Sequence, residues 1–257
     1  MTPWITKPIP FNIGQGAAAA GGGYESGLGS DGNWTTVNSL STNDDVDTPG
    51  GLSAAGLTKS WLSDGSTTVI STESGQLLPV DSDLTFCCWI YSTNIETQII
   101  FNSLADNLFV VYLAGGGTAL EFIVKDGAGE SSGGEESYSF QADTWYMVAG
   151  TFEASTGKTV SYVYSGGDLK TVATDPIRTV ATNTDWKMMG ATGPPNETFN
   201  GRILSPAIWN VVLSESDLDE LFDSGDGVEM NTIQKDKIVC YWDSQTGTAP
   251  IENLAIP

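Results

Sequence analysis

The sequence predicts an all-β fold, a two-sheet antiparallel jelly-roll sandwich with one short helix near the C-terminus and an extended N-terminal arm. Three observations carry this. Short β-branched and aromatic runs recur from residue 67 to 209, separated by turn residues such as Gly115-Gly116-Gly117, Gly133-Gly134 and Gly166-Gly167. One segment, 213–222, leaves the two-residue period for helical spacing. Residues 14–32 hold eight glycines and the run Ala17-Ala18-Ala19-Ala20, with almost no large apolar residue.

The strands follow in order. Residues 67–71 are β-branched, and 84–91 (Leu-Thr-Phe-Cys-Cys-Trp-Ile-Tyr) are apolar on both faces, as a central sandwich strand requires. Further strands are expected at 98–102, 108–113, 120–125, 145–152, 159–164, 169–173, 186–190 and 201–209. Leu213, Leu218, Leu221 and Phe222 then share a helical face, and Ser214 with Asp217 three residues on forms a capping box. That places a helix over 215–222, stopped by Gly225, before a last strand at 239–242.

Two units are expected: an arm over 1–50 and a sandwich over 51–257. The arm is too glycine-rich to order itself, because it cannot bury enough surface against its backbone entropy. Trp4, Ile5, Ile9, Phe11, Ile13 and Trp34 are its candidate anchors on a neighbouring subunit. Pro8 and Pro10 interrupt any apolar stretch of a secretion signal, so assembly in a cytoplasm is expected. The sequons at Asn33 and Asn196 then carry little weight.

Charge and residue types exclude several chemistries. A net charge of −22, from 32 acidic and 10 basic residues, repels phosphate backbones and argues against nucleic acid as a partner. No apolar run approaches the roughly 20 residues of a membrane helix. The chain has no histidine, which removes Ser-His-Asp and Cys-His arrangements and every His-ligated zinc site. Three cysteines cannot pair completely; Cys87 and Cys88 point to opposite faces of one strand, and a bridge from Cys240 to either is left open.

Three blocks resemble the concanavalin A-like lectin/glucanase superfamily, and within it the laminin G-like modules. They are Leu84 to Ile90, the Trp145-Tyr146-Met147-Val148-Ala149-Gly150-Thr151-Phe152 strand, and Phe199-x-Gly201-x-Ile203 with Ile208-Trp209-Asn210, Leu213-Ser214 and Glu220-Leu221-Phe222. The resemblance implies a jelly roll over roughly residues 60–225. It departs at Leu204-Ser205-Pro206, where the family often has acidic residues, and at Ser165-Gly166, where Asp-Gly or Asn-Gly is common. Calcium-binding members use oxygens from sandwich-edge loops, for which Asp106, Asn107 and Asp126 are the candidates here; polar turns without metal are the commoner use of such residues. Sugar-binding members stack pyranose rings on exposed aromatics, which singles out Trp61, Trp186, Trp209 and Trp242 against the more frequent use of tryptophan as core mass. Glu215-x-Asp217-x-x-Glu220 matches the glycosidase motif of the superfamily, but those enzymes carry it on a strand, and helical spacing here argues against catalysis.

The functional expectation is a non-enzymatic virion structural protein, a phage capsid decoration or cement protein. Its arm would dock on the major capsid protein or other virion subunits, with a homo-oligomer as an option, and its lectin-like sandwich would face outward from the virion surface. The alternatives are an extracellular carbohydrate-binding lectin or tail-fibre adhesion module and, more distantly, a glycosidase. No cofactor is expected other than the calcium option.

Overall fold

The computed structural model of the protein describes residues 36–38, 41–44, 46–65, 69–71, 82–103, 109–125, 131–165, 168–173, 186–189, 198–245 and 254–255. In chain order the elements begin with β1 (Thr36–Asn38), β2 (Ser41–Asn43), α1 (Gly50–Ala54), β3 (Ser60–Asp64), β4 (Val69–Ser71), β5 (Leu84–Ser92) and β6 (Gln98–Ser103). Next come β7 (Phe109–Ala114), β8 (Ala119–Lys125), β9 (Ser131–Ser137), β10 (Trp145–Glu153), β11 (Lys158–Ser165) and β12 (Asp168–Ala173). The last are β13 (Trp186–Met188), β14 (Asn200–Trp209), α2 (Glu215–Phe222) and β15 (Ile238–Tyr241).

Two antiparallel sheets face each other. One is seven-stranded, in the order β1-β4-β13-β6-β7-β8-β9. The other is eight-stranded, in the order β12-β11-β10-β5-β14-β3-β2, with β15 also paired to β14. Between them lies a core that includes Trp61, Phe86, Cys88, Ile90, Phe101, Val111, Phe122, Val148, Ile203 and Trp242. Phe86 and Phe101 stack across it, their ring centroids 4.7 Å apart. Each large apolar side chain buried this way contributes about 1.5–3 kcal/mol relative to exposure.

A third layer lies on the outer face of the eight-stranded sheet. Cys87, Trp89, Met147, Leu204 and Trp209 point outward from it and are covered by Leu52 of α1, Leu218, Leu221 and Phe222 of α2, and Met230 and Ile233 beyond. Trp89 and Phe222 stack at 5.7 Å. This explains why β5 reads as apolar throughout: one face fills the sandwich and the other carries the helical roof. Cys87 and Cys88 accordingly face different layers; all three cysteines are free and buried, so no bridge to Cys240 forms.

Strand β14 organises this half of the molecule. It pairs with β5 along one side and, on the other, with β3 over Asn200–Ile203 and then with β15 over Ala207–Trp209. The change of partner coincides with a register shift between Leu204 and Ala207. There Ser205 adopts φ +50° and Pro206, which lacks an N–H, fits a bulge better than a regular ladder. The departure from the family pattern at Leu204-Ser205-Pro206 is therefore this bulge.

Three expectations need correction. The sandwich takes in part of the segment assigned to the arm, since β1 pairs β4 and β2 pairs β3. Gly133-Gly134, read as a turn, lies inside β9, which pairs with β8 from Ala119↔Ser137 to Lys125↔Ser131. Its Ser/Gly/Glu sequence has little strand propensity, and the ladder with β8 imposes the conformation. The helix spans Glu215–Phe222 as expected, but its stop is Asp223, which takes the left-handed step at φ +42°, and not Gly225.

Candidate functional site

The anchors Trp4, Ile5, Ile9, Phe11, Ile13 and Trp34, the sequon residues Asn33 and Asn196, and the calcium candidates Asp106, Asn107 and Asp126 lie outside the described residues. Among the described residues, no three His, Cys, Asp or Glu side chains converge to hold a metal ion.

The tryptophans are placed differently from the sugar-stacking expectation. Trp61, Trp209 and Trp242 are each 0% exposed. Trp61 and Trp242 belong to the core between the sheets, and Trp209 lies under the helical roof with its indole N–H donating to the Ile233 carbonyl at 2.9 Å. Ring faces packed in this way cannot receive a sugar. Trp186 lies on β13, and its side chain is outside the described ones.

The motif Glu215-x-Asp217-x-x-Glu220 is helical, not strand-borne. Asp217 serves as a cap: its carboxylate accepts from the Ser214 N–H at 2.9 Å and the Ser214 hydroxyl at 2.7 Å, and its own N–H donates to Ser214 Oγ at 3.2 Å. The hydrogen bond from the Ser214 hydroxyl is the largest influence holding this carboxyl below its ordinary range. Glu215 and Glu220 are exposed. A paired-carboxylate arrangement for glycoside hydrolysis is not formed by this helix.

Two surfaces remain for a partner. The first is the outer face of the seven-stranded sheet, since both helices pack on the other sheet. On it the Tyr112 hydroxyl donates to the Glu121 carboxylate across β7 and β8, beside half-buried Ile123. Asn102 alternates to this face from Phe101 of the core; it is fully buried, so the face is not open throughout, and among the described residues neither heteroatom of its amide has a hydrogen-bond partner. The second lies at the margin of the helical roof, against which Trp145 is partly packed. Trp145 pairs Tyr91, Tyr91 pairs Arg202 and Arg202 pairs Leu62, a row across four strands of the eight-stranded sheet. Trp145, Tyr91 and Leu62 are half-buried, and Arg202 is 5% exposed. The Trp145 and Tyr91 rings are 5.4 Å apart at 56°, and the Trp145 indole N–H donates to the Asp47 carbonyl at 2.9 Å.

Sequence reasoning placed Trp145 and Tyr91 on strands and gave neither a binding role. A usable signal is positional: Trp145↔Tyr91 is the outermost pair of the β10–β5 ladder. Cover is thinnest at such an end.

A family model described as the concanavalin A-like lectin/glucanases superfamily, of the laminin G type, matches residues 64–219. The chain belongs to this superfamily. No curated protein matches it in sequence. Among solved structures, this superfamily member is similar to the native heptameric SAP-like pentraxin of Limulus polyphemus, at 12% identity and TM-score 0.50, covering 86% of this chain and 97% of that one. It is similar also to the enzymatically active domain of tailspike protein 2 of bacteriophage CBA120, at 11% identity and TM-score 0.52, covering 82% of this chain and 33% of that one. The receptor-binding domain of botulinum neurotoxin type G gives 14% identity and TM-score 0.52, covering 74% of this chain and 46% of that one. The chain thus spans nearly all of the pentraxin but less than half of the tailspike and toxin chains. At such identities the likeness concerns the fold: a lectin-like jelly roll.

Proposed function

We propose that this chain is a non-enzymatic adhesion module of a virus particle, docked through residues 1–35 and presenting its lectin-like sandwich to glycans. One observation carries the reading: both helices pack on the outer face of the eight-stranded sheet, and among the described residues no helix packs on the outer face of the seven-stranded sheet. The docking half is supported by where the chain enters the fold. Thr36 opens β1, the edge strand of the seven-stranded sheet, and a sheet edge is where strand addition to a capsid or tail subunit is the natural contact. Membership of a superfamily of lectin-like folds supports the outward-facing half.

Removing residues 1–35, but not β1, is expected to leave a folded sandwich that no longer joins particles, as read by mass spectrometry of purified virions. Absence of the full-length chain from particles sinks the placement. Full incorporation of the shortened chain sinks the docking role of the segment.

A further inference from the structure

The geometry points to a glycan platform at the open end of the eight-stranded sheet, where Trp145 and Tyr91 stack one neutral pyranose. The inference rests on the adhesion reading above and names its site and ligand class.

Trp61, Trp89, Trp209 and Trp242 are at most 1% exposed, while Trp145 is half-buried. Its partner Tyr91 is half-buried too, and at 56° the two rings form an open angle, not a closed stack. Sheet register fixes both backbones, and the bond from the indole N–H to the Asp47 carbonyl fixes the Trp145 ring and satisfies its polar edge. What the ring offers outward is therefore apolar and pre-set, which suits the C–H face of a pyranose at low ordering cost. The helical layer buries the preceding row, Met147, Trp89 and Leu204, and packs against Trp145 only in part, leaving it half-buried at the margin of the roof.

The surroundings select the sugar. Asp47 and Asp143 are exposed and flank the pair: Asp47 through its bond to Trp145, and Asp143 through its N–H, which donates to the Ser92 carbonyl at 2.9 Å. Carboxylates accept hydrogen bonds from sugar hydroxyls. The same carboxylates, within a chain of net charge −22, repel sialic and uronic acids. The ligand is accordingly neutral, and its binding depends little on salt.

The test is an array of neutral and acidic glycans on the full chain, followed by titration of the best hit and by 19F NMR of protein labelled with 5-fluorotryptophan. The expected result is a neutral glycan that shifts the Trp145 resonance, assigned with Trp145→Phe. Trp145→Ala and Tyr91→Ala are expected to weaken binding at least about tenfold, whereas Trp145→Phe, which keeps a stacking ring, loses far less. Lys235→Ala, at an exposed position away from the pair, should leave affinity unchanged. Because the labelled wild-type protein reports contact directly, a variant that fails to fold does not blunt the test. A bound glycan that leaves the Trp145 resonance unmoved overturns this site and spares the adhesion reading. Preference for acidic glycans overturns the ligand class. An array with no hit overturns both this inference and the glycan half of the proposed function.

Discussion

Gly150 and Gly201 mark the closest approaches between strands. A Cβ on Gly150 would lie 2.2 Å from Cδ2 of Phe122 in the facing sheet, and one on Gly201, at φ +149°, would lie 2.1 Å from the Tyr91 carbonyl oxygen. Near Gly150 the sheets are tied by a bond from the Phe122 N–H to Ser161 Oγ at 3.2 Å. Gly150→Ala should therefore act as overpacking and cost about 1–3 kcal/mol. The measurement is a urea midpoint that falls with unchanged slope. Phe122→Leu in the same chain should recover part of the loss, because contacting residues couple. Full additivity of the two changes would show that the ring is not what the new methyl meets. Residue identity was informative here for bulk and uninformative for exposure: five tryptophans with described side chains are chemically alike, and only position separates them, Trp61 and Trp242 between the sheets, Trp89 and Trp209 under the roof and Trp145 half-buried at its margin.

At the scale of elements, legibility followed the source of each element's stability. Strand β5 and helix α2 were readable because burial on both faces and the Ser214–Asp217 cap are written into local residue types. β9 was not, since Ser131–Ser137 becomes a strand through its partner β8. The N-terminal strands β1 and β2, three residues each, are too short to carry a period. The cap permits a sharp prediction. Ser214→Ala removes the acceptor of the Asp217 N–H and should destabilise the chain by about 1 kcal/mol. It also removes the hydroxyl that most strongly holds the Asp217 carboxyl below its ordinary range. A carboxyl depressed in the folded state adds stability above its unfolded value, and that stability is lost as pH falls through the folded value. The difference between wild type and Ser214→Ala should thus be full at neutral pH and shrink in acid below about pH 4. A difference that is constant from neutral to strongly acidic solution would exclude the charge-assisted part of the cap.

At the scale of the whole molecule, the helical roof and the net charge pull in opposite directions. The three-layer arrangement buries both faces of the central sheet, yet 32 acidic residues against 10 basic ones repel each other across the folded surface. Among the described residues, Lys237 and Asp236 meet at 3.4 Å with both side chains exposed, a geometry that contributes at most about 1 kcal/mol of relief. Unfolding spreads the same charges apart, so screening should favour the folded state more than the unfolded one. Raising sodium chloride from about 0.02 M to about 0.5 M shortens the screening length from about 20 Å to about 4 Å, below typical spacings between surface charges. The expected outcome is a denaturation midpoint higher by about 2–4 °C, reached with potassium chloride as well as sodium chloride, since bulk screening does not distinguish the cations. A rise produced by calcium at millimolar level, with no response to either monovalent salt, would instead locate the effect at a specific carboxylate site and not in the summed field of the chain.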